Sequence, residues 1–399
     1  MCDREHWLDG PPHALFADLR SRCPVHFTKG FEEFPDEAGF WSVTTAADVQ
    51  AVSRDWQTFS SAYGITSVTE ALMPLELISS MFIGMDPPKH DRLKALFQRG
   101  FTPKRIAEHE DAIRAITRDA LDKLDGRETC DLVEDLAQPV VSRVIGSFMG
   151  ITPQDDAVWA RLMNNVIGAG DPDVTPDGMD VVMERDVPEI FARCQALIAE
   201  RREHPTDDLT SVLVHAEVDG ERLEEHEIVM GFFLLMAAGN DSTKATFCSG
   251  MRALMDSPDQ RALVLADLPG RVPGTVEESL RMFPAFAHFA RRTTKETELG
   301  GQRLGKDEKV VMWYVSSNRD PERFEDPERF DITRTTEHQA FGAGGRHFCL
   351  GAALARLELR VLFEETLARF PDIAPAGAAR SVESPFANQL KALPVRLRA

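Results

Sequence analysis

The chain lacks any run of apolar residues long enough to cross a bilayer. Its most apolar stretch, residues 228–238, falls short of the roughly 20 residues that a spanning helix needs. No signal peptide or anchor is expected either, because the first ten residues carry Asp3, Arg4, Glu5, His6 and Asp9 and no hydrophobic segment. The six cysteines, Cys2, Cys23, Cys130, Cys194, Cys248 and Cys349, form no Cys-x-x-Cys pair. That speaks against a disulfide framework and a zinc site alike, and fits a reducing cytoplasm. Positive charge is in deficit too: 45 Lys and Arg stand against 65 Asp and Glu, a net charge of −20. Nucleic acid and anionic membranes are therefore poor candidates for the main partner. The expectation is a cytoplasmic protein without a membrane anchor.

What is present is ample material for a core, since 43% of the 399 residues are hydrophobic. Residues 15–19 have the spacing of a short amphipathic helix, 40–44 alternate like a strand, and 46–53 turn helical. Residues 60–85 carry only Glu70 and Glu76 as charges, as a segment covering something hydrophobic would. Thr102-Pro103 reads as an N-cap with proline at the first helical position, opening a helix predicted to reach Gly126. Helices follow over 132–149, 155–167 and 181–202, with a long, lid-like connection at 168–180. The longest helical pattern spans 224–255 and is interrupted by Ala237-Ala238-Gly239-Asn240-Asp241-Ser242-Thr243. Small residues followed by an acid and two hydroxyls are locally unfavourable in a helix, which marks either a functional site or close helix packing. A short helix over 272–282 places Glu278 and Arg281 on one face, and 289–294, 298–301 and 309–315 read as a small sheet. The fold class is mainly α with minor β: one large helical domain over 1–399 with a small β-rich region and no visible boundary.

The densest signal is Phe341-Gly342-Ala343-Gly344-Gly345-Arg346-His347-Phe348-Cys349-Leu350-Gly351, which runs directly into a helical pattern. Four glycines let a backbone turn tightly and approach something flat or bulky. A cysteine at a helix N-terminus has its thiolate favoured by the helix dipole and free N–H groups. Taken alone, Cys349 could be a metal ligand, a nucleophile or an ordinary buried cysteine.

Four elements in order settle a resemblance: the Ala-Gly-x-Asp-Ser-Thr helix, Glu278-x-x-Arg281, a Pro-Glu-Arg-Phe element ending at Phe330, and the glycine-rich Cys349 loop. Together they resemble the soluble bacterial cytochromes P450. The resemblance implies a haem-thiolate monooxygenase of the cytochrome P450 fold, with haem b and Cys349 as axial iron ligand, inserting one oxygen atom from O₂ into a C–H bond. It implies Glu278, Arg281 and Arg329 as a structural charged triad. His90, Lys94, Arg291 and His347 match the partners of the haem propionates, and Ala238, Phe341, Gly342 and Gly351 match positions lining the cofactor. Asp241, Ser242 and Thr243 match the residues that deliver protons during oxygen activation.

Three departures stand out. Lys94 replaces the usual arginine, giving a point charge instead of a fork; Ser242 replaces the usual threonine, losing a rotamer-restricting methyl. Phe341 precedes Cys349 by eight positions where seven is common. The longer loop is similar to that of actinobacterial members that oxidise sterol side chains and branched lipids. Ile83, Ala237, Phe286, Ala287 and Phe386 are the candidate substrate-pocket residues.

No flavin or iron–sulfur segment is visible, so electrons are expected from NAD(P)H through a ferredoxin-type partner and its reductase. Arg346, Arg356, Arg360, Lys94, Arg99 and Lys104 are the candidate docking cations, and a monomer is expected. The same residues leave open a peroxide-driven peroxygenase and a non-catalytic haem-thiolate binding protein.

Overall fold

The longest helical pattern becomes the molecule's central strut, Glu225–Asp256, 32 residues long and so about 48 Å end to end. A reciprocal capping box of Glu224 and Glu227 starts it. The polar run at 237–243 does not break it. Buried residues occur all round its surface, because helices Gln138–Met149, Asp156–Ile167, Val187–Glu203, Leu268–Met282 and Ala352–Arg369 all pack on it. Glycine lets a further helix, Lys89–Gln98, come close: a Cβ on Gly231 would lie 1.9 Å from the Phe97 ring. The computed structural model describes residues 4–29, 38–64, 75–167, 171, 173–218, 220–335 and 337–398.

Beside the helices lies a five-stranded sheet, in the order Val25–Thr28, Phe40–Val43, Lys309–Trp313, His288–Thr293, Phe59–Ser60. All its pairings are antiparallel except that of Lys309–Trp313 with Phe40–Val43. Thr45 caps helix Ala46–Arg54 through the N–H of Asp48. One hydrophobic cluster fills the helical body, and two smaller ones lie on the sheet. Among the described residues, no helix is long and apolar enough to cross a membrane.

Two predicted helices need correction. The pattern from Pro103 to Gly126 divides at His109 into Pro103–Glu108 and Glu110–Asp122. His109 lies edge-on to Phe148 at 5.0 Å, and a one-residue re-registration of this kind leaves hydrophobic periodicity almost unchanged. The helix expected from 272 begins at Leu268, capped by Asp267, and holds Pro273 inside it. Residues 65–74 of the apolar segment, and 168–170 and 172 of the lid-like connection, lie outside the described residues.

Candidate functional site

The cysteine loop folds as its glycines require. Gly342, Gly344 and Gly345 adopt φ of 92, 88 and 83°. A Cβ on Gly345 would meet the Ser53 carbonyl oxygen at 2.5 Å, so no other residue fits there. The Ser53 hydroxyl donates to the Gly344 carbonyl (2.7 Å) and the Cys349 N–H to that of Phe341 (2.9 Å). Lys94 Nζ donates to the carbonyls of Phe348 (2.8 Å) and Arg346. Arg356 lies over the Phe341 ring at 4.7 Å and pairs with Glu277 at 2.6 Å.

Cys349 itself opens onto a cavity lined by the central helix, the cysteine loop and the helix that follows it. Burial raises the thiol pKa, against the N–H of Gly351 and the charges of Lys94 and Arg356, which lower it. Without a metal, desolvation opposes the thiolate more than the helix N-terminus favours it; coordination to a metal ion deprotonates a thiol outright.

The cavity fits haem on several counts. At its edge stand His90, Arg291 and His347, with the two imidazoles 4.2 Å apart. Arg291 is 5% exposed and donates only to the adjacent Ala290 carbonyl (2.6 Å). It forms no ion pair among the described residues, and burial lowers its pKa. A buried guanidinium without a carboxylate is costly, and a propionate would relieve that cost. Burial, then the charges of Arg291, His90 and Lys94, hold His347 far below the usual imidazole range, as a neutral ring. Lys94, expected at a propionate, has its ammonium committed to the cysteine loop instead.

On the opposite wall, the central helix presents Ala238, Ser242 and Thr243 to the cavity. The Ser242 hydroxyl donates back to the Ala238 carbonyl (2.7 Å). Asp241 is not among the lining residues; it is 2% exposed and paired with Lys244 at 2.5 Å. Lys244 also donates to Gln138 (2.6 Å) and Asn164 (3.2 Å), while Asn240 accepts from the Ser142 hydroxyl (2.8 Å). Gly239 lies where a Cβ would come 2.9 Å from Ile145, so polar function and close helix packing coexist in this run.

Glu358, on helix Ala352–Arg369, also lines the cavity. Burial pushes its carboxyl up to about 8, opposed by a hydrogen bond with Thr243. Sequence reasoning did not single out Glu358. Its place four residues after cavity-lining Leu354, on one helical face, was the available signal.

The charged triad is partly corrected. Arg281 grips both Glu278 oxygens at 2.7 Å and donates to the carbonyls of Asn318, Pro327 and Arg329. The Arg329 guanidinium, however, points outward to Asp259 at 3.4 Å. Arg334 is the second arginine at Glu278, 3.4 Å away.

Of the pocket candidates, Ile83 and Phe286 line the cavity, as do Phe341, Gly342 and Gly351 of the cofactor set. Ala237, Ala287 and Phe386 do not. Ala237 is rotated about 100° from Ala238 around the helix. Ala287 packs in the cluster with Trp7 and Trp313, and Phe386 stands behind Phe286 at 5.0 Å.

Most expected docking cations are already paired: Arg346 with Asp91, Arg356 with Glu277, Arg360 with Glu110. Arg99 and Lys104 are exposed, Lys104 at 3.9 Å from Glu108. Phe348 is 42% exposed.

Residues 272–384 match the family model described as Cytochrome P450. The chain is 38% identical over 386 residues to a methyl-branched lipid omega-hydroxylase of Mycobacterium tuberculosis, covering 95% of this chain and 90% of the relative. It is 36% identical over 375 residues to a steroid C26-monooxygenase of the same species, covering 94% and 89%. Among solved structures, a cytochrome P450 of Mycobacterium marinum in complex with pseudoionone superposes with a TM-score of 0.93 at 36% identity, covering 99% of this chain and 97% of that one.

Proposed function

The chain belongs to the cytochrome P450 family and is a haem monooxygenase; from that premise we propose that it hydroxylates the terminal methyl of a methyl-branched hydrophobic chain. The observation that carries this reading is the cavity wall above Cys349. It is built from Ile83, Leu234, Leu235, Ala238, Phe286 and Phe289, with the Ser242 and Thr243 hydroxyls beside them. Such a wall grips an apolar chain and offers no charge to a polar one. The relatives named for omega-hydroxylation of a branched lipid and for steroid C26 oxidation support the same choice.

Cys349 would supply the axial thiolate, and His90, Arg291 and His347 the propionate contacts. Haem held there supplies reductive activation of O₂, with overall balance RH + O₂ + 2e⁻ + 2H⁺ giving ROH and H₂O. The chain's own contribution is proton handling and positioning. The Ser242 hydroxyl, bonded to the Ala238 carbonyl, turns about χ1 to present its proton to the cavity. Asp241, released from Lys244, takes a proton from solvent and passes it back to that hydroxyl through water. The apolar wall keeps other water out and holds the C–H bond near the reacting centre.

Electrons come from NAD(P)H through a ferredoxin and its reductase, docking near Phe348, Arg99 and Lys104. The enzyme works in the cytoplasm as a monomer, its 1–399 chain acting as one domain. Scattered free cysteines support the reducing compartment. A peroxide-driven reaction would leave the Asp241–Ser242 pair without a task.

The test is a panel of methyl-branched fatty acids and sterols, screened by the spin-state shift of the haem spectrum and then by product analysis with ferredoxin and reductase. Terminal alcohols are expected. Purely in-chain products, or full yield from peroxide without the reductase, would overturn the proposal.

A further inference from the structure

Asp86, separated by Pro87-Pro88 from the helix that carries His90, makes three backbone and side-chain contacts for which the reaction has no direct use. One carboxylate oxygen accepts from the Ser60 hydroxyl at 2.5 Å and the other from the Ser61 N–H at 2.9 Å. The Asp86 carbonyl accepts from the N–H of His90 (3.0 Å). The Ser60 oxygen accepts in turn from the N–H of Ala62 (3.1 Å), which locks the turn at both ends. Both serines are 1% exposed. The Ser61 hydroxyl is left facing His347, 3.1 Å from its Nε2.

We propose that Ser61, seated by the Asp86 carboxylate, is a positioning residue for the haem site: its hydroxyl fixes the His347 imidazole toward the propionate position and slows haem loss.

Several independent features converge on this. Ser60 lies in strand Phe59–Ser60, paired with His288–Thr293 at Arg292, so the serine turn and Arg291 share one sheet. His347 arrives from the cysteine loop, a separate element, and its ring is met on one side by His90 at 4.2 Å. An imidazole's terminal torsion is broad and two-fold, so the tilted contact with His90 alone does not choose which edge faces an anion. A hydroxyl held at Nε2 does choose, and partners that orient a ligating imidazole are typically worth 10–100-fold in affinity. The inference rests on His347 facing a propionate, and the test separates the two.

The experiment follows haem transfer from the full-length holoenzyme to excess apo-globin, together with the resonance-Raman bending band of the propionates. Ser61→Ala is expected to lose haem on the order of tenfold faster, with a shifted propionate band that a simple packing defect would not produce. Asp86→Ala should do the same, and it carries the test if Ser61→Ala does not fold. Asp86→Asn keeps an oxygen for the Ser61 N–H and should stay near the parent. His347→Ala sets the upper limit. Parental haem loss in Ser61→Ala with fast loss in His347→Ala overturns the positioning role while His347 keeps its place. Parental loss in His347→Ala removes the premise itself. Loss in Asp86→Asn as fast as in Asp86→Ala would show that charge acts there, and would overturn the seat.

Discussion

The two walls of the cavity are built on opposite plans. The cysteine wall is held from outside: carbonyls and aromatic faces of the loop are taken up by Lys94, Ser53 and Arg356, and each holding group is tied to another element. The helix wall keeps its polar groups uncommitted toward the cavity. Ser242 bonds only to its own helix, and behind it Asp241 retains a buried oxygen without a partner among the described residues. A satisfied network rigidifies; a partly satisfied one is where protons can move. One wall therefore holds the cofactor, and the other serves the reaction.

The largest effect should come from the support beneath the held wall. Arg281→Met removes both 2.7 Å hydrogen bonds of the buried Glu278 and leaves it only Arg334 at 3.4 Å and the Asp331 N–H; breaking a buried pair in this way costs about 3–5 kcal/mol. Urea denaturation and haem content should both fall, with the coupling of the remaining holoenzyme unchanged. Asp241→Asn tests the converse: turnover should drop on the order of a hundredfold, with haem content at the parental level. If each variant produced the other's signature, the division between walls would collapse. Ser242→Thr should sharpen it more gently. The added methyl restricts the hydroxyl, so less peroxide is released per NAD(P)H consumed.

The smallest effect is the most diagnostic, because two glutamates carry opposite pKa shifts. Glu358 is raised from the ordinary 4.5 to about 8 by burial, with Thr243 opposing. Its folded form binds a proton that the unfolded chain has released. Its stabilising contribution is full below about pH 4.5 and is lost as pH climbs toward 8. For Glu277, burial acts upward, but His338 and Arg356 prevail and hold the carboxyl down to about 2. Its contribution is present above pH 4.5 and is lost as pH falls toward 2. In thermal unfolding across pH, Glu358→Gln should flatten the first slope and Glu277→Gln the second. Parental slopes in either variant would show that the group is not shifted as described.

What the sequence disclosed follows the range of the interactions involved. The cysteine loop was legible because its requirements are local: glycine where φ is positive, cysteine where the helix begins. The central helix and the Glu278–Arg281 pair were legible by periodicity. The second arginine at Glu278 was not, because Arg329 and Arg334 lie on one irregular segment and only its tertiary course decides which guanidinium turns inward. Ala237 and Ala287 were each placed one residue away from a true lining position, Ala238 and Phe286. Residue choice suggests a cavity there, but the phase of the backbone fixes which side chain enters it. The hydrogen bonds of Lys94 to two loop carbonyls were not legible, because only the loop's path brings those carbonyls to its helical position.

Gly239 carries a consequence for how such an enzyme can diversify. Ile145 already fills the space behind it, so the central helix cannot retreat to enlarge the chamber. Room for a bulkier substrate has to come from Ile83, Phe286 and Phe289 across the cavity. Substrate range can thus drift by exchange of a few facing side chains while the proton-handling hydroxyl stays in place, so that the chemistry is inherited and the choice of substrate remains free to vary.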